Sequence, residues 1–230
     1  MAVFSIAEQK RAHEILRILR STLQIRADDF ASLLVNEESH DPFRVLVVII
    51  LSQSCTDIAA IKAYRTLEEQ IGITVSTIAQ ANVREIGSSI RSAGLQRQKS
   101  KALRQLARIV SQRYTGDISK ILLKPTNEAR DELQTLPKVG PKTADVLLSV
   151  HGKPTISVDT HVERVSKRLA LTDPKAKYEE IRADLMQLFD LNDYENVPLL
   201  FMAHGRKYCR AIRPLCPTCP VHQLCPYAKT

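Results

Sequence analysis

Apolar residues recur at spacings of three and four along nearly the whole chain, the period of helices with one buried face. Ser5 and Glu8 have the spacing of a capping box, and Ile15, Leu16, Leu19 and Leu23 follow on one stripe. Asp41-Pro42 is a good N-cap and first-turn pair for residues 43–51, which are apolar nearly all round. That run predicts a buried central helix rather than a strand, because its cap is helical and no turn signal follows Leu51. From Asp57 a stripe of Ile58, Ile61, Tyr64 and Leu67 continues until Gly72, and two short helices are expected between 75 and 92. Residues 99–114 predict an amphipathic helix with Leu103, Leu106, Ile109 and Val110 inside and Lys101, Arg104 and Arg108 outside. Further helices are expected over 127–134, 142–150, 160–170, 178–189 and 197–204. No alternating strand, repeat or low-complexity tract interrupts them, so the class is all-α.

Composition bounds the partners. The 230 residues, 44% of them hydrophobic, suffice for one large or two modest cores. A net charge of +8 makes a polyanion the natural partner, with a merely basic solvated surface as the alternative. The longest apolar run, 45–51, is far too short to span a bilayer, and the N-terminal segment carries Glu8 and Glu14 but no signal-like apolar region. A cytoplasmic protein without a secretion signal is expected. Cys55, in an apolar neighbourhood, reads as a buried thiol.

Three segments carry chemistry. Cys209, Cys216, Cys219 and Cys225 follow one another with gaps of six, two and five residues. Zinc sites more often use two close pairs separated by a longer stretch, whereas four thiolates in one loop suit a [4Fe-4S] cluster; zinc and disulfides remain the alternatives. The stretch 136–144, Leu-Pro-Lys-Val-Gly-Pro-Lys-Thr-Ala, joins two helices through a tight turn. Leu136 and Val139 can point inward while the turn's N–H groups, at Lys138, Val139 and Gly140, face out beside a helix start, an arrangement that holds phosphate without reading bases. The same stretch also reads as an ordinary helix connection. Lys142 sits just inside the following helix, where the dipole disfavours an ammonium and any desolvation favours a nucleophilic amine, although most first-turn lysines are solvated surface groups. Asp159, at the next helix start, is a good N-cap and need be nothing more. Together, an amine and a carboxylate at two helix starts in a basic helical protein invite a catalytic reading.

These three segments, in this order and at these separations, resemble the helix-hairpin-helix DNA glycosylases of the endonuclease III type, over essentially the whole chain. The resemblance implies two helical lobes, a six-helix barrel with the hairpin over 35–154 and an iron–sulfur lobe from 1–34 and 155–230. Duplex DNA with a damaged base or abasic site would lie in the cleft between them, its target nucleotide turned out of the stack. It implies a bifunctional enzyme of base-excision repair, acting on oxidised pyrimidines as a monomer, with Lys142 as nucleophile, Asp159 as its carboxylate and the four cysteines as cluster ligands. A monofunctional mismatch or uracil glycosylase, in which another residue replaces the lysine, and a non-catalytic DNA-binding protein are the alternatives. Arg210 and Arg213, in the loop the cluster would hold, match phosphate contacts, and Leu95 matches the apolar wedge beside the flipped base. Gln53 matches the residue facing the opposite base, although the bacterial pattern puts that glutamine one position later, where this chain has Ser54. The hairpin departs too: Lys138 stands where the family usually has glycine, a strained choice if that position needs positive φ.

Overall fold

The computed structural model describes residues 4–229. In chain order its α-helices are α1 (Ile6–Thr22), α2 (Ala31–Ser39), α3 (Pro42–Ser52), α4 (Asp57–Gln70), α5 (Val75–Gln80), α6 (Val83–Ser89), α7 (Gln96–Tyr114), α8 (Ser119–Leu122), α9 (Thr126–Leu133), α10 (Pro141–Val150), α11 (Thr160–Arg168), α12 (Tyr178–Leu188) and α13 (Asn196–Lys207). Among the described residues there is no strand, and no helix is long and apolar enough to cross a membrane. The chain forms two compact units: Arg26–Lys153, with α2 to α10, and a second that joins α1 to everything from Pro154 onward.

Helix α3 is the axis of the first unit. Asp41 accepts from the Phe43 N–H at 2.8 Å and Pro42 occupies the first turn, as the sequence predicts. Val45 to Leu51 are at most 6% exposed, so the helix is buried on every side. Helices α2, α4, α7 and α10 pack around it. Its end is therefore inside the protein, where terminal carbonyls have no water to bond. Lys99, 1% exposed, meets them: its Nζ donates to the Leu51 and Gln53 carbonyls at 2.8 and 2.7 Å, and to the Ala93 carbonyl at 2.8 Å.

Several elements differ from expectation. Helix α7 begins at Gln96, before Lys99, because Leu95 takes the left-handed conformation and acts as N-cap. In α4 the buried face is Ala60, Ala63, Tyr64 and Leu67, while Ile58 is 82% exposed. Helices α2 and α8 had no sequence signal: α2 follows Phe30 without a side-chain cap, and α8 is a single turn. Cys55 is half-buried rather than buried, its thiol donating to the Leu51 carbonyl at 3.0 Å.

Helices α9 and α10 are joined across their interior by an ion pair. Arg130 Nε reaches both Asp145 oxygens, at 2.9 and 3.1 Å, and the Asp145 side chain is wholly out of water. A carboxylate so buried is tolerable only because the guanidinium neutralises it.

The second unit has its own core, built from Ile15, Leu16 and Leu19 of α1, Val162 and Val165 of α11, Ile181 and Leu185 of α12, and Val197 and Phe201 of α13. The Ser5–Glu8 capping box is present. Arg11 on α1 donates to the Leu169 and Ala170 carbonyls at 2.7 and 2.8 Å, closing the end of α11. Gly205 lets α13 approach α11, since a Cβ there would stand 3.0 Å from the His161 Cβ.

The Arg130–Asp145 pair gives a stability prediction. Asp145→Ala removes the carboxylate that faces the Arg130 guanidinium inside the protein and is expected to cost about 3–5 kcal/mol in denaturant unfolding. Arg17→Ala, which breaks an exposed pair with Glu14, is expected to leave the unfolding midpoint almost unchanged.

Candidate functional site

The turn between α9 and α10 is built from the core outward. Leu136 and Val139 are 3% and 5% exposed, and the Val139 N–H closes the turn on the Leu136 carbonyl at 3.1 Å. Anchoring both side chains pushes Lys138 between them into the left-handed region, φ 63, with its side chain in solvent. The strain foreseen for a lysine here is therefore present, on the order of 1–2 kcal/mol. The Val139 side chain is in the core and its N–H is spent on closing the turn, so the outward N–H expected at this residue is turned inward. Gly140 is extended, at φ −95, and a Cβ built on it would touch nothing within 4 Å. Neither conformation nor packing within the protein calls for glycine at this position; an open backbone face is what it supplies. No side chain caps α10, whose first turn carries the exposed Lys142.

Two more loops are tied to this turn. Gln53, at the end of α3, donates through Nε2 to the Lys138 carbonyl at 2.9 Å and to Thr143 Oγ1 at 3.3 Å. The Lys138 ammonium reaches Gln98 Oε1, in the first turn of α7, at 3.4 Å. Leu95 stands just before that turn, 49% exposed at φ 48, and is not a core leucine. Gly94 precedes it at φ 67, ψ 173, a conformation open to glycine alone. Gln53, Leu95, Lys138, Gly140 and Lys142 thus lie on three linked loops of one unit. The residues that link them, Lys99, Gln98 and Thr143, were not foreseen. The available signal was Lys99 itself, a charge at helical spacing from Leu103 and Leu106 on the apolar stripe of α7. Burial holds the Lys99 ammonium below its ordinary pKa, partly offset by the nearby Cys55 thiol.

In the other unit, Asp159 is the N-cap of α11. Its Oδ1 accepts from the His161 and Val162 N–H groups, both at 2.8 Å, and its second oxygen has no hydrogen bond among the described residues. The far end of the same helix holds the cysteine loop. Arg164 Nε donates to the Cys209 carbonyl at 2.9 Å. Arg168 donates to the Arg210 and Ala211 carbonyls at 2.7 and 3.1 Å and to Cys209 Sγ at 3.4 Å, with its guanidinium 4.5 Å from the Tyr227 ring centre. Arg210 and Arg213 project from this loop into solvent.

Cys209, Cys216, Cys219 and Cys225 are free thiols around one small enclosed cavity, which removes the disulfide alternative. Burial pushes the Cys219 thiol up to about 11, and the other three cysteines add to the rise. A cation among them would relieve that crowding. Among the described residues no three of these sulfurs lie within 4.8 Å of one another. Sulfurs on a single zinc at about 2.3 Å would stand closer than that, so the donor set fits a multinuclear cluster better than one ion.

The chain is similar to known proteins over most of its length. Residues 47–190 match the family described as HhH-GPD superfamily base excision DNA repair protein. Endonuclease III of Bacillus subtilis is 36% identical over 80% of this chain and 81% of its own length. Endonuclease III of Sulfolobus acidocaldarius is 31% identical over 94% of this chain and 96% of its own. The solved structure of an endonuclease III trapped as a covalent intermediate with DNA superposes with a TM-score of 0.82 at 30% identity, covering 100% of this chain and 98% of that one. This chain belongs to the endonuclease III family of base excision repair proteins. As a member of the endonuclease III family it is a DNA N-glycosylase and abasic-site lyase. A thermostable thymine-DNA glycosylase, 23% identical with a TM-score of 0.78, shares the fold.

The strained turn predicts that Lys138→Gly will stabilise the protein by about 1 kcal/mol, whereas Lys138→Val will destabilise it by about as much. Denaturant midpoints read both.

Proposed function

We propose that Lys142 is the amine nucleophile of a bifunctional glycosylase acting on oxidised pyrimidines in duplex DNA, and that Asp159 is the carboxylate of the same reaction. The observation that carries this is an exposed primary amine in the first turn of α10, beside an open backbone face at Gly140. Uncapped N–H groups at a helix start favour an anion, so a phosphate of the target strand is the ligand that fits the turn. Lys138 adds a positive charge and Gly140 an open backbone face, while Val139, whose N–H is bonded to the Leu136 carbonyl, shapes the turn that presents them.

With the nucleotide turned out of the stack, the Lys142 amine bonds to C1′ and the N-glycosidic bond breaks, its electron pair leaving with the base. Loss of the amine proton and opening of the C1′–O4′ bond give an imine. That imine acidifies the 2′ proton; its removal breaks the C3′–O bond and cuts the strand on the 3′ side. Asp159 steadies the positive charge that develops on the sugar and moves protons to and from it. Leu95 replaces stacking lost beside the flipped base, and Gln53 faces the orphaned partner. Arg210 and Arg213 contact phosphates. Cys209, Cys216, Cys219 and Cys225 hold a [4Fe-4S] cluster, which when bound fixes their loop through four thiolate ligands.

Borohydride reduction on a duplex with one abasic site tests the assignment. Wild type is expected to yield a covalent protein–DNA adduct and Lys142→Ala none; an undiminished adduct from the variant would refute the role of Lys142. Asp159→Asn can still accept both cap bonds, so it is expected to remain folded while base excision falls about 10²–10⁴-fold. Purified protein is expected to be brown with about four irons per chain, and Cys216→Ser to lose both.

A further inference from the structure

Lys99 has no carboxylate partner among the described residues, although it is as buried as any core leucine. An ammonium in that position is costly, and a methionine would fill similar space without the cost. The ammonium supplies three N–H bonds in fixed directions, and all three go to backbone carbonyls. Two of these, Leu51 and Gln53, end α3; the third, Ala93, lies in a segment distant in sequence, two residues before Leu95. The Leu51 carbonyl also takes the Cys55 thiol. One group therefore fixes the spacing of two loops that both carry left-handed residues, Ser54 at φ 60 and Leu95 at φ 48. Gln53 extends the tie to the α9–α10 turn through the Lys138 carbonyl.

We infer that Lys99 is a positioning residue whose buried ammonium locks the Gln53 and Leu95 loops into one rigid element, so that the two side chains enter the DNA stack together. This rests on the reading above that Leu95 and Gln53 face DNA. Unstacking a base step is unfavourable and has to be offset at once by the wedge and the gap-filling side chain. Loops already held at the right separation lose no further conformational freedom on insertion. The tie acts through backbone carbonyls, so it sets where both loops stand without touching DNA.

The test is the fluorescence of 2-aminopurine placed opposite a non-cleavable abasic-site analogue in a duplex, read at saturating, cluster-loaded enzyme. Wild type is expected to give a large rise as the probe is unstacked, and Leu95→Ala to lose most of it. Lys99→Met is expected to lower the rise at least five-fold while affinity for undamaged duplex changes less than two-fold. Lys99→Arg keeps the cation but spreads its donors over a planar fork. It is expected to fold and give an intermediate rise, so the test does not depend on the methionine variant folding. The double variant Leu95→Ala/Lys99→Met is expected to fall no lower than Leu95→Ala alone, because both act on the same insertion. Full rises from the folded Lys99 variants, or additive losses in the double variant, would overturn the role of Lys99 while leaving the DNA-facing loops in place. A full rise from Leu95→Ala would overturn the reading of the loops and the inference together.

Discussion

Helix α3 is wrapped in apolar side chains along its length, so its last carbonyls end inside the protein and must find donors there. Much of the first unit follows from that constraint. A lysine on α7 reaches in to supply the donors, and in doing so it draws the Ala93 segment against the end of α3. The residues just past those anchors cannot continue regular structure and turn left-handed, leaving Leu95 half in solvent and Gln53 across the α9–α10 turn. The turn is constrained by the same means: Leu136 and Val139 go into the core and Lys138 takes the strain. The features assigned to DNA are consequences of how buried groups were satisfied.

The second unit uses one helix for two tasks. Helix α11 presents Asp159 at its start, where the cap bonds to His161 and Val162 fix the carboxylate. Its last turn, through Arg164 and Arg168, grips the backbone of the cysteine loop. Arg11 from α1 and the close approach of α13 at Gly205 hold the helix in place. The Asp159 carboxylate and the two arginines that anchor the cysteine loop are thus carried by a single short helix.

Much of this was legible in the sequence because the signals are local. Capping residues at Ser5, Asp41 and Asp159 mark helix starts by hydrogen bonds within three residues. The hairpin and the cysteine spacing are contiguous motifs. What escaped depends on contacts distant in sequence. Ile58 has the right spacing for the core, yet α4 turns Ala60, Ala63, Tyr64 and Leu67 inward and leaves Ile58 in solvent. Lys99 gave a signal, a charge on an apolar stripe, but its three acceptors lie on loops whose proximity periodicity does not encode. Helix α2 has no cap from its own N-cap residue, Phe30; its first N–H, on Ala31, is met instead by the Asp57 carboxylate of α4 at 3.3 Å, a partner distant in sequence that local propensity does not report. The positive φ of Lys138 was foreseen only as a condition, because it follows from the anchoring of residues on either side.

The central claim is that the amine of the α9–α10 hairpin performs the chemistry. Peptide mapping by mass spectrometry of the borohydride-reduced adduct tests it most directly, since it names the lysine that carries the sugar. The account predicts a single modified peptide with the remnant on Lys142. A remnant on Lys138, on Lys99 or spread over surface lysines would contradict it.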